Sequence, residues 1–112
     1  MNQGFFKNIE ASKINTFADL VEYQAGRVVS LTLVQKEFLT MTLFAFSQGE
    51  SISTHSSPGD AFVYLLDGEA SITIGDVTHQ VKAGESILMP ANTPHGLQAD
   101  KNFKMLLLVL FA

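Results

Sequence analysis

Three histidines, His55, His79 and His95, are the side chains best suited to chemistry near neutral pH, since imidazole changes charge in that range and commonly binds metals. His55 opens the run His55-Ser56-Ser57-Pro58-Gly59-Asp60. An imidazole followed closely by a hydroxyl and a carboxylate is raw material for acid/base chemistry, for the polar fixtures of a pocket, or for part of a metal shell. The plainer reading of Ser57-Pro58-Gly59-Asp60 is a β-turn, whose composition needs no function to explain it. His95, directly after Pro94, has the same open roles as His55: metal ligand, orienting group for a ligand, or structural imidazole bonded to backbone. His79 shares strand parity with Val77 and Val81 and has no partner nearby in sequence, so it reads as a surface or structural residue. Cysteine is absent, which excludes a disulfide framework, a zinc-thiolate site and a thiol nucleophile.

Those residues must be positioned by strands. Apolar side chains recur at period two along most of the chain, and the pattern breaks at Gly, Pro and Asx positions, as expected of short strands joined by turns. The pattern predicts strands over Arg27–Gln35, Phe38–Phe46, Ser51–His55, Ala61–Leu66, Ala70–Ile74, Thr78–Val81, Ser86–Met89 and Lys104–Phe111. In Phe38–Phe46, Leu39, Met41 and Leu43 share one face, while Thr40, Thr42, Phe44 and Phe46 share the other, so both faces must be at least partly covered. Gly75-Asp76 supplies the turn of a hairpin over Ala70–Val81, with the glycine at the first central position of a type II′ turn. Asn15–Tyr23, with Phe17, Leu20 and Val21 at helical spacing, predicts at most a turn or two of helix. Phe38, Met41, Phe44, Phe62, Tyr64, Met89 and Met105 are candidates to line a cavity or simply to fill the core. Many short strands at close spacing point to an all-β sandwich or closed barrel, in a single domain over residues 1–112.

Composition narrows the partners. With 11 acidic against 7 basic residues the net charge is −4, and the few Lys and Arg are scattered, which argues against nucleic acid. The start Met1-Asn2-Gln3-Gly4-Phe5-Phe6-Lys7 lacks the features of a secretory signal. The longest apolar run, residues 105–111, is far short of the roughly 20 residues a membrane-spanning helix needs. A cytoplasmic protein with no nucleic-acid and no membrane partner is expected.

Two stretches resemble the paired motifs of the cupin superfamily: Gly49 through Gly68, with His55, and Gly84 through His95, with Pro90. The glycines, the proline and the outer histidines fall where the family pattern has them. The resemblance implies a jelly-roll barrel in which the two motifs bring a three-histidine, one-carboxylate site together, suited to Fe, Mn, Ni, Cu or Zn. The chain departs from it at two ligand positions. The second histidine is replaced by Ser57, and the carboxylate falls at Ala61 or Phe62, depending on turn length, with Asp60 one residue early. Asn92 stands where the family has a turn glycine, and asparagine tolerates the left-handed backbone that such a turn requires.

These residues imply a small cupin with a small-molecule pocket inside the barrel, its polar fixtures being His55, Ser57, Asp60 and His95, with Asp60 the candidate acid/base group. The alternatives are a metal-dependent dioxygenase, isomerase or decarboxylase in which His55 and His95 hold a weakly bound divalent transition metal, and a ligand-sensing partner of a separate regulator. Val28–Val34 and the run Met105–Phe111 carry more apolar surface than one lumen hides, so a homodimer is expected, and the resemblance to small cupins that pair through their N-terminal strands implies residues 20–34 as its interface.

Overall fold

The computed structural model describes residues 4–111; residues 1–3 and 112, the ends of the expected single domain, lie outside the described residues. The chain is all-β. Its strands are β1 (Val28–Gln35), β2 (Leu39–Phe46), β3 (Ser51–His55), β4 (Asp60–Ile74), β5 (Val77–Lys82), β6 (Ser86–Met89), β7 (His95–Gln98) and β8 (Phe103–Leu110), all antiparallel to their neighbours. The expected helix over Asn15–Tyr23 is a single 3-10 turn, Phe17–Asp19, and Thr16 before it makes no side-chain cap.

Two features differ from the strand reading. The two strands expected over Ala61–Leu66 and Ala70–Ile74 are one, β4, which runs through Asp67-Gly68-Glu69 without a break. An irregularity in its pairing with β8 between Leu65 and Asp67 bends the strand there, as bulges do. Its first half lies between β8 and β6, and its second half between β7 and β5. The strand β7 was not expected from the sequence. The result is a sheet curled into a half-barrel from a five-stranded layer, β1-β2-β8-β4-β6, and a four-stranded layer, β3-β7-β4-β5, joined through β4.

Gly68 is required at the bend. Its φ is +76°, and a Cβ there would stand 1.9 Å from the Asn102 carbonyl oxygen, so only glycine lets β4 and β8 close together. At the hairpin tip Gly75 has φ +60° while Asp76 does not share the left-handed backbone, the arrangement of a type II′ turn.

Alternation divides the apolar side chains into two cores. Inside the curl, Phe46, Val63, Leu65, Ile72, Phe103 and Met105 are buried. Phe46 and Phe103, paired in register, stack at 4.5 Å and 12° and close one end of the lumen. On the outer face of the five-stranded layer, Leu33, Leu43 and Ala45 are covered by Val21, Phe17, Leu20 and Tyr23 of the N-terminal segment. Both faces of β2 are therefore used, as its pattern required. Polar contacts pin this segment: the Tyr23 hydroxyl donates to Asp67 Oδ2 at 2.5 Å, and Lys104 Nζ donates to the Ala18 carbonyl at 2.6 Å while lying over the Tyr23 ring. Burial, together with the Asp67 carboxylate that accepts its proton, holds the Tyr23 phenol well above the usual tyrosine range. Within residues 20–34, Leu20, Val21, Tyr23, Leu31 and Leu33 take part in this cluster, while Val28 at the start of β1 is exposed.

Candidate functional site

The last residue of β3 is His55 and the first of β7 is His95, and the two are direct partners across antiparallel strands. Their ring centroids are 4.6 Å apart at an interplanar angle of 66°, an edge-to-face contact. This meeting depends on an irregularity in β3. Ile52 packs on the core, so strict alternation would turn Thr54 inward and His55 out; the register shift between Ile52 and His55 reverses this. Thr54 goes to the outer side, beside Gly96, and His55 faces His95.

The two rings share a tautomer. His55 Nδ1 lies 3.0 Å from the Ser53 carbonyl and His95 Nδ1 lies 3.1 Å from the Thr93 carbonyl. A carbonyl only accepts, so each neutral ring donates from Nδ1 and keeps a lone pair on Nε2; this assignment follows from the hydrogen-bond network. His55 is exposed, whereas His95 is 4% exposed. Among the described residues no buried polar side-chain atom lacks a partner and His95 Nε2 bonds to none of them, so that atom is not sealed in the core.

Ser57 and Asp60 build the frame around the pair. Ser57 Oγ accepts from the Gly59 amide at 3.2 Å, and its carbonyl accepts from the Asn92 amide at 2.7 Å. Asp60 Oδ1 accepts from the Ala91 amide at 2.8 Å. These bonds tie the turn before β4 to the turn before β7, where Asn92 takes a left-handed φ of +62°. Asp60 shares the outward side of β4 with exposed Phe62 and Tyr64, while Ala61, Val63 and Leu65 point into the core. The structure thus brings together His55 and His95, gives Ser57 to its own turn, and sets Asp60 outside the lumen. His79 lies exposed on β5.

Phe44, Ile87, Leu107 and Val109 pack on the inner core yet stay partly exposed, unlike Phe46 and Phe103 at the closed end. Thr40 and Thr42 share strand parity with Phe44 and bring hydroxyls to the same inner face. Of the seven candidate cavity residues, Phe44, Met89 and Met105 belong to this inner core; Met41, Phe62 and Tyr64 lie on the outer face, and Phe38 is exposed in the β1–β2 turn. The threonines were missed as lumen residues, although their alternation with Leu39, Met41 and Leu43 carried the signal.

A family model described as a cupin domain matches residues 42–111. The chain belongs to the cupin family. Among solved structures, this cupin is similar to a conserved protein of unknown function from Streptococcus pyogenes, with 41% identity, 98% of this chain and 96% of that one covered, and a TM-score of 0.96. A cupin superfamily protein from Desulfitobacterium hafniense is 31% identical over 96% of this chain and 98% of its own, with a TM-score of 0.91. A cupin 2 conserved barrel domain protein from Leptotrichia buccalis is 48% identical over 83% of this chain but only 45% of its own, with a TM-score of 0.81. No curated protein matches.

Against the three-histidine, one-carboxylate set that the cupin motifs imply, this cupin keeps two imidazoles. The inward direction of Ala61 fixes it, and not Phe62, as the carboxylate position, and it holds a methyl group packed in the core beside its strand partner Met89. Among the described residues no three of His, Cys, Asp and Glu stand where they can hold an ion together. The donor set does not fit the family's metal centre.

Proposed function

We propose that this cupin binds a small molecule at the histidine end of its half-barrel, using His55 and His95 as the polar fixtures that orient it. One observation carries the reading: two imidazoles in contact at 4.6 Å, each with Nδ1 engaged by backbone, which leaves both Nε2 atoms for a ligand. A neutral Nε2 accepts a hydrogen bond, so the ligand class favoured is a molecule with a hydroxyl or amine donor and an apolar body to lie against Phe44, Leu107 and Val109. The absence of cysteine suits a cytoplasmic protein and the acidic charge one without nucleic-acid partners, while the exposed apolar strand surface suits a homodimer. No helix among the described residues is long and apolar enough to cross a membrane.

A second reading, a loosely held divalent transition ion on the same two imidazoles, is favoured by the shared tautomer, because Nε2 is the coordinating atom in each ring. With Ser57 and Asp60 committed elsewhere, the described residues offer no third strong donor there. The test of the main reading is a thermal-shift screen of small alcohols, amines and amino alcohols, since binding to the native state raises the melting temperature. A true ligand stabilises the wild type and loses its effect on His55→Ala; a compound that stabilises both equally binds elsewhere and counts against the reading.

A further inference from the structure

The outer face of the four-stranded layer is polar across all four strands. Ser51, Gln98, Ser71 and Gln80 stand in register through β3, β7, β4 and β5. In the neighbouring row Gly96 pairs with Thr73, and Thr73 with Thr78. A groove of about 520 Å³ opens on this face, within the roughly 300–1,000 Å³ usual for small-molecule sites. Among the described residues that line it, Asp100 is the one with a charge, and none is aromatic.

Gly96 and a hydrogen-bonded chain shape the groove. The φ of Gly96 is not left-handed, but a Cβ there would press on the Ile52 carbonyl oxygen and the Thr54 hydroxyl at 3.2 Å, so the glycine seats β3 and leaves bare backbone at the floor. Gln80 Nε2 donates to Ser71 Oγ at 2.8 Å, and Ser71 Oγ donates to Asp100 Oδ2 at 2.6 Å. Gln98 Nε2 donates to Asp100 Oδ1 at 3.4 Å. Ser71 is buried, which anchors the chain to the sheet. With their amide nitrogens engaged, Gln80 and Gln98 each keep an Oε1 that has no partner among the described residues.

We infer that this groove is a second binding site, outside the lumen, for a neutral polyhydroxyl compound of the saccharide class. A sugar hydroxyl both donates and accepts. The groove meets it with acceptors held in place, Gln80 Oε1, Gln98 Oε1 and the Asp100 carboxylate, and with hydroxyls on Ser51 and Ser53 that take either role. Long charged side chains, the usual way to keep an exposed sheet soluble, give way here to short hydroxyls and amides around a bare floor. A phosphorylated or carboxylated ligand would meet Asp100 and a chain of net charge −4 with no cation in the lining. A polyamine would find a single carboxylate, both of whose oxygens already accept hydrogen bonds. Without an aromatic ring to stack on the sugar's apolar face, affinity rests on hydrogen bonds alone. Binding is therefore in the millimolar range, and a disaccharide binds more tightly than glucose.

The test is an amide NMR titration of the whole chain with glucose, maltose and lactose, and with glucuronate and spermidine as the charged alternatives. It uses wild type, Gln98→Ala, Gln80→Ala/Gln98→Ala and His55→Ala. The expected result is saturable shifts with a disaccharide, confined to amides of β3, β5 and β7 around the groove and absent with glucuronate. Affinity should fall about fivefold in Gln98→Ala, the effect of one lost hydrogen bond, fall further in the double variant, and stay unchanged in His55→Ala. Gln98 is exposed, so the single variant decides if the double one fails to fold. No saturable shift with any of the three sugars up to about 100 mM, or undiminished binding in Gln98→Ala, overturns the inference. Saturation by spermidine below the concentration at which a disaccharide saturates overturns the saccharide class. Binding lost in His55→Ala places the sugar in the lumen, which overturns the second site and leaves the lumen reading standing.

Discussion

Replacing His95 by alanine should destabilise the protein far more than replacing His55, although the two rings touch. His95 is buried, and its loss removes the Nδ1 bond to the Thr93 carbonyl, the edge contact with His55 and the packing of a ring against the inner core. A lost hydrogen bond is worth about 1 kcal/mol, and the space left by the truncated ring adds a similar or somewhat larger amount, giving about 2–3 kcal/mol. At about 4 °C per kcal/mol for a domain of this size, the melting temperature should fall by roughly 8–12 °C. His55 is exposed, and water can replace it at the Ser53 carbonyl, so His55→Ala should cost no more than about 0.5 kcal/mol, or about 2 °C. Thermal unfolding followed by circular dichroism at one pH and protein concentration reads both. Equal losses in the two variants, or a His95→Ala melt within about 2 °C of wild type, would refute the burial asymmetry on which the site's geometry rests. The same asymmetry makes His55→Ala the cleaner probe of binding, because it perturbs the pair and little of the fold.

Asp60→Asn should leave stability and ligand response unchanged, because an amide oxygen can still accept from the Ala91 amide, whereas Asp60→Ala should cost about 1 kcal/mol and weaken binding by loosening the turn before His95; a marked loss in Asp60→Asn would point to titration chemistry instead. Gly68→Ala combines a left-handed backbone with a clash against the Asn102 carbonyl and should cost at least about 2 kcal/mol in denaturant unfolding; a neutral result would mean that β4 and β8 are not so close. The Tyr23 phenol is raised in the folded chain, so the stability it contributes is whole below the ordinary tyrosine value near pH 10 and is lost as pH climbs above it. Wild type should therefore lose stability between pH 9 and 11 more steeply than Tyr23→Phe, and parallel denaturation curves for the two would contradict the Tyr23–Asp67 contact.

Most of the fold could be read from alternation, and the exceptions have physical causes. Asp67-Gly68-Glu69 has the composition of a turn, and the chain does bend there, but β4 keeps its pairing through the bend because Gly68 allows the close approach to Asn102. The strand β7 is four residues long, contains Gly96 and presents too little alternation to register; it exists because β3 and the second half of β4 flank it. At the site, His55 and His95 were readable as a pair through the motif spacing. The shift in β3 register that turns His55 toward His95 left no mark in composition, and the outward direction of Asp60 depended on where β4 begins. Long-range packing also folds Val21 and Tyr23 back onto the chain's own sheet, where no local pattern announces it.

The central claim is that the His55–His95 pair serves a small molecule and that the family's metal centre has been lost with Ser57 and Ala61. Elemental analysis by mass spectrometry of protein purified without added metal tests it most directly. The account predicts Fe, Mn, Ni, Cu and Zn together well below one ion per chain, with any added Ni or Zn removed by dialysis against a mild chelator. One transition ion per chain that survives such dialysis would contradict it.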